Sequence, residues 1–245
     1  MLRDSLMRNH ADQDFRWRGG EIARIEGLSD AVFAFAVTLL VVSLEVPKTF
    51  NELAVLMRGF VSFAICFGLL IQVWYEQFLF FRRYNLQDKG TLWLNAFLLF
   101  VVLFYVYPLK FLFSFLVKVW MGMETRVQLP GGVFENAIEF NQMPQLMAIY
   151  GAGYLAVSCV FMLLFYRALR RREELQLNEL ETFDTRVSIG ASMINASAVA
   201  VSLCIALSGI DRLGGISRMI YPILLGPEFG IYYTVVGRRR RKRFG

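Results

Sequence analysis

The residues able to do chemistry are concentrated between Arg24 and Pro47, in RIEGLSDAVFAFAVTLLVVSLEVP, where an Arg, a Glu and an Asp stand directly before a long apolar run. An ionisable side chain at the centre of a membrane helix costs about 2.5–3.5 kcal/mol on insertion scales, so one that enters a span faces protein or water and takes a partner. Arg24 and Asp30 are separated by about 120° around a helix and cannot form the usual i, i+4 pair; they need partners on other helices, or a helix distorted near Gly27. Glu26 and Asp30 are like charges at i, i+4, a repulsion that a nearby Arg or a captured cation relieves. Beyond them Ala31, Phe35, Thr38, Val42 and Glu45 recur at spacings of four and three and form one helical stripe, with Leu39 and Val46 on its flank. The stripe is apolar in the middle, polar at Thr38 and acidic at its end. It fits either a seam for helix packing or the wall of a water-filled path.

Other chemistries lack their parts. His10 is the only histidine, and Cys66, Cys159 and Cys204 stand singly in separate apolar runs, so neither a histidine base nor a metal-ligand spacing is present. No nucleophile elbow, phosphate-binding Gly loop or dinucleotide fingerprint occurs. The chain is therefore expected to be neither an enzyme nor a cofactor protein. The basic run Arg238 to Arg243 follows an apolar segment directly, which marks it as a topology anchor meeting anionic headgroups of the bilayer, with no nucleic-acid partner.

The elements that position the charged stretch are membrane spans. Apolar residues make up 56% of the chain and charge is confined to short patches between long apolar runs, which defines an all-α integral membrane protein. Six segments are long enough to cross a bilayer: about 23–46, a second from after Glu52 to near Phe81, then 91–120, 144–168, 185–208 and 213–236, the last broken by several Gly and Pro. Pro108 removes one backbone bond in the third. The first twenty residues are polar, without the apolar core of a signal peptide, and are expected to be retained.

Lys and Arg cluster in the N-terminal tail, around Arg82 and Arg83, around Arg167 to Arg172 and at the C-terminus, and are sparse in the alternate connections. The positive-inside rule then predicts both termini in the cytoplasm. The resulting organisation is a tail over 1–22, a six-helix domain over 23–236 and a basic tail over 237–245. Small-residue runs at 151–153 and 190–202 read as close helix packing.

Arg24-Ile25-Glu26-Gly27-Leu28-Ser29-Asp30 resembles the Arg-x-x-x-Phe-Ser-Asp signature that opens the first helix of the transmembrane protein 175 family of cation channels. The similarity continues through Ala31-Val32 and Thr38-Leu39-Leu40, and includes Trp74, Leu94-Asn95 and Tyr107-Pro108. The resemblance implies a homotetramer of six-helix subunits in a bacterial inner membrane, with the first helix of each lining a central pore. It implies a potassium-preferring leak conductance through rings of apolar side chains, with potassium as the permeant ion and no cofactor. Carried over position by position, the constriction falls on Phe35, Leu39 and Val42, with Thr38 one turn above Phe35 and Glu45 at the outer mouth.

Arg24, Leu28, Ser29, Asp30, Trp74, Gln77 and Asn95 fall to a signature network. Arg24, Ser29, Asp30 and Asn95 are expected to share one buried set of hydrogen bonds. The signature Phe is replaced by Leu28. Gln77 stands where the family often has a His and cannot carry charge, and Phe35 stands where the narrowest ring is usually aliphatic. A secondary transporter or a non-conducting scaffold would use the same charged first helix differently, and both stay open at this point.

Overall fold

The computed structural model describes residues 15–20, 22–42, 47–122, 125–128, 132, 134–139, 142–208 and 234–238. The chain builds α1 (Arg24–Val42), α2 (Phe50–Arg58), α3 (Phe60–Tyr84), α4 (Lys89–Trp120), a hairpin of β1 (Arg126–Gln128) and β2 (Phe134–Asn136), α5 (Met143–Arg170) and α6 (Glu179–Leu207). Four of these, α3 to α6, are long and apolar enough to cross a membrane. Among the described residues the fold is all-α apart from the hairpin. Of the expected sixth span, only Thr234–Val236 lie within the described residues.

Helix boundaries follow local chemistry. At the start of α1, Oε2 of Glu26 accepts the N–H of Ala23 at 2.8 Å, which satisfies one of the donors a helix start leaves free. The expected second span is split in two at Gly59. Its longer part, α3, runs past Phe81 to Tyr84 and stops where Asn85 adopts left-handed backbone (φ 49°) with its N–H on the Phe81 carbonyl. Asp88 starts α4 by accepting the Gly90 N–H, and α4 continues through Pro108. Asn178 and Glu181 form a reciprocal capping box that opens α6, several residues before the expected start.

The antiparallel hairpin, with Val127 opposite Glu135, was not anticipated from the sequence. Gly132, at φ +83°, occupies its connection, a conformation that suits a residue without Cβ.

Two apolar clusters hold the helices together. One gathers Phe33, Ala36 and Leu40 of α1 against Cys66 and Leu70 of α3 and Leu99, Val102 and Val106 of α4. The other joins Ile25 of α1 to Phe80, Phe81 and Tyr84 of α3 and to Phe161, Leu164 and Phe165 of α5. Phe15 enters this second cluster from the segment before α1, edge-on to Tyr84. That segment is fastened further: the Arg18 N–H donates to the Arg82 carbonyl at 2.9 Å, and the Arg18 guanidinium meets the fully buried Glu181 carboxylate at 2.7 Å. The start of α1 is thus tied to α3 and to the α5–α6 turn.

Candidate functional site

Helix α1 has two unlike faces. Ile25, Glu26, Ser29, Phe33, Ala36 and Leu40, at the helical spacing, are all buried against α3 and α4. Ala31, Ala34, Phe35, Thr38 and Val41 are exposed, Phe35 at 55% against 5% for Phe33. The two phenyl groups lie about 200° apart on the helix, so only one can join the core.

A chain of hydrogen bonds fixes the buried face. Nε2 of Gln77 donates to Oδ1 of Asn95 at 2.6 Å, Nδ2 of Asn95 donates to the Ser29 hydroxyl at 2.9 Å, and Ser29 donates to the Ile25 carbonyl at 2.8 Å. Gln77, Asn95 and Ser29 are buried to 2% exposure or less. Neutral groups buried so completely must be paired, and here each is. α4 therefore holds α1 through Asn95, and Gln77 of α3 holds Asn95 in turn.

Asp30 stands apart from this set. It is exposed, and its Oδ1 accepts the indole N–H of Trp74 at 2.8 Å, with the indole stacked on Phe78. Arg24 is exposed and makes no hydrogen bond or ion pair among the described residues. The expected single buried network of Arg24, Ser29, Asp30 and Asn95 is therefore corrected: Ser29 and Asn95 belong to it with Gln77, Asp30 pairs with Trp74, and Arg24 is outside. The cause is helical geometry, since neighbours in sequence point about 100° apart and Ser29 and Asp30 cannot enter the same site.

The charge buried at this end is Glu26. Its Oε1 stands 3.9 Å from Nε of Arg82, an ion pair too long to be a hydrogen bond.

On the open face Thr38 donates its hydroxyl to the Ala34 carbonyl at 2.9 Å, which leaves the oxygen lone pairs as the group presented outward. Phe35 lies one turn before it. Leu39 is half-buried and packs against the α1–α3–α4 cluster, so it borders the open face instead of standing on it. Leu28 is 59% exposed. Val42 ends the described helix, and its side chain and Glu45 lie outside the described residues.

Among contacts the sequence did not suggest, Nζ of Lys110 in α4 donates to the Leu40 carbonyl at 2.8 Å. Its only signal in sequence was a cation inside a long apolar run.

These features define an all-α membrane protein whose first helix is fastened along one face and open along the other. Residues 24–105 match the family described as the endosomal/lysosomal potassium channel TMEM175. A potassium channel from Marivirga tractuosa is 44% identical over 234 residues, covering 94% of this chain and 93% of that protein. A second potassium channel, from Chamaesiphon minutus, is 29% identical over 132 residues, covering 50% and 64%. The crystal structure of the potassium channel MtTMEM175, as a T38A variant bound to a nanobody–MBP fusion, superposes with a TM-score of 0.81 at 40% identity, covering 95% of this chain and 99% of that one. The chain belongs to the TMEM175 family, a family of ion channels and not of enzymes.

Proposed function

We propose that the chain is a potassium-preferring, leak-type cation channel of the bacterial inner membrane, a homotetramer of six-span subunits with cytoplasmic termini and α1 lining the pore. The six-helix domain spans 23–236, between the tail over 1–22 and the basic tail over 237–245, which meets anionic headgroups. The observation that carries the reading is the open face of α1. A helix pinned by buried side chains on one face and exposing Phe35 and Thr38 on the other has the form of one stave of a pore wall.

Four Phe35 rings around an axis exclude water, and a cation entering them loses hydration without replacement ligands, so conduction requires the ring to widen. The phenyl faces, negative at their centres, offer partial compensation once rotated towards the ion. One turn on, Thr38 oxygens replace part of the hydration shell. Leu39 and Val42 narrow the path beyond, and Glu45 concentrates cations at the outer mouth.

The test is Phe35→Ala in proteoliposomes. Removing four rings at once is expected to raise potassium flux while potassium-over-sodium preference stays weak or falls. Phe100→Ala is the control, because that ring is equally exposed but lies on α4. Phe33→Ala is a poor control, since it truncates a core residue at a cost of about 3–5 kcal/mol. Unchanged flux in an assembled Phe35→Ala protein would refute the pore face. Planar-bilayer recording separates the two remaining classes, because a secondary transporter gives coupled uptake without current steps and a scaffold gives neither.

A further inference from the structure

We infer that Lys110 is a positioning residue of the conduction pathway, holding the turn of α1 that follows Thr38 and thereby setting pore width and the preference between potassium and sodium. This rests on α1 lining the pore, as proposed above.

Lys110 lies in α4 between Lys89 in its first turn and Lys118 in its last. Measured from Lys89 it is about 32 Å along the helix, close to the roughly 30 Å thickness of the hydrocarbon core. A lysine at that depth ordinarily extends its stem towards water. Here Nζ instead reaches sideways and donates to the Leu40 carbonyl at 2.8 Å. The side chain of Leu40 is buried to 1% beside Val106, one turn before Lys110. A bond to main chain holds the helix itself, which a contact between side chains does less directly.

The position of this tie gives it its effect. Ser29 holds α1 to Asn95, and Leu40 lies about 16 Å further along the helix. Phe35 and Thr38 fall between the two ties, so the second fixes how far the intervening turns can move off α4. Lys110 also stands just past Pro108, where the ring has removed a backbone donor. The same part of α4 is bound to α5, because Tyr150 donates to the Pro108 carbonyl and Tyr105 donates to the Ile149 carbonyl at 2.8 Å. Lys110 completes a continuous series of main-chain ties from α5 through α4 to α1.

Purified K110M and K110R are compared with the parent chain in planar bilayers at about 1 M salt, where a Debye length of about 3 Å screens any through-space effect of the charge. K110M removes one hydrogen bond from each of four subunits and is expected to lower the potassium-over-sodium permeability ratio by at least about three-fold, with assembly unchanged. K110R keeps a donor and is expected to restore the ratio. Wild-type ratio and unitary conductance in K110M overturn the inference. Where K110M does not assemble, K110Q replaces it, and a wild-type ratio there overturns the inference equally. Phe35→Ala run alongside separates the two levels: if it leaves conductance unchanged, the pore assignment fails and this inference with it. If it raises conductance while K110M behaves as wild type, only the role of Lys110 is lost.

Discussion

Asn95→Leu should destabilise the protein more than the loss of one polar contact suggests, and the structure shows which atom is responsible. Asn95 holds both of its neighbours, accepting from Gln77 at 2.6 Å and donating to Ser29 at 2.9 Å. After the change Ser29 still donates to the Ile25 carbonyl, so the orphaned donor is the Gln77 amide, 2% exposed and with no other acceptor among the described residues. An unsatisfied buried donor costs about 1–3 kcal/mol in soluble proteins. Coupling energies between polar side chains in membrane proteins average about 0.6 kcal/mol, with a maximum near 1.7, because the unfolded chain also finds partners. Complete burial within one subunit favours the upper part of that range, and a Gln77–Asn95 coupling of about 1–1.5 kcal/mol is expected. Asn95→Leu, Gln77→Leu and the double variant form the cycle, read by equilibrium unfolding in detergent. The double variant should be the least costly relative to the sum of the singles, since replacing both partners by apolar groups of similar shape approaches neutrality. Additive singles, with coupling near zero, would refute the claim that Gln77 braces Asn95, the side chain that holds Ser29 of α1.

Asp30→Ala and Trp74→Phe should each cost about 1 kcal/mol and be non-additive, because they remove the two ends of one exposed hydrogen bond, and not the roughly 3–5 kcal/mol of a broken buried ion pair. A large loss in thermal stability for Asp30→Ala alone would contradict that pairing. At Asp88, partial burial works to raise the carboxyl, but the Thr91 hydroxyl with Arg167 and Arg171 outweighs it and holds the group below its ordinary value of 3.8. Its contribution to stability is therefore complete above that value and lost as pH falls through the lower folded one, so the advantage of the parent chain over Asp88→Asn should vanish only below about pH 3.8, read as unfolding temperature against pH. Gly153→Ala should cost about 1–3 kcal/mol by overpacking, since its Cβ would fall 2.3 Å from the Tyr105 ring, which its bond to the Ile149 carbonyl restrains. Tyr105→Ala in the same chain should relieve it, and failure of that rescue in a thermal melt counts against the steric cause.

How much of this was legible before the structure depended on whether the partner carried a sequence signal. The faces of α1 were legible because they follow from periodicity: Phe33 and Phe35 had to diverge, and they do. Asn95 was legible as sharing a buried network with Ser29, whereas its bond to Gln77 and the pairing of Trp74 with Asp30 were not. Lys110 was visible only as a lone cation, because its partner is a backbone carbonyl 70 positions away and every residue offers one. The same holds for Arg18, whose guanidinium reaches the Leu175 and Gln176 carbonyls. The second span was expected to end near Phe81, and α3 carries Arg82 and Arg83 on to its end at Tyr84. The hairpin was missed although Pro130, Gly131 and Gly132, between two short runs of mixed apolar and polar residues, are a turn signal.

The rotation of α1 about its own axis is what connects the buried network to the open face. A shift of one residue, about 100°, would bring Asp30 to Asn95 in place of Ser29 and carry Phe33 out of the core. Apolarity alone resists this weakly, because the helix is apolar on nearly every side beyond Asp30 and lipid accepts phenyl groups as readily as the core does. The small Ser29 hydroxyl, fully buried, donating to the Ile25 carbonyl and accepting from Asn95, resists it strongly: a carboxylate in its place would have to be desolvated beside the Asn95 amide. Ser29, Asn95 and Gln77 thus select Phe35 and Thr38 for the open face without touching either, and the signature motif has its physical meaning as a setting of helix orientation.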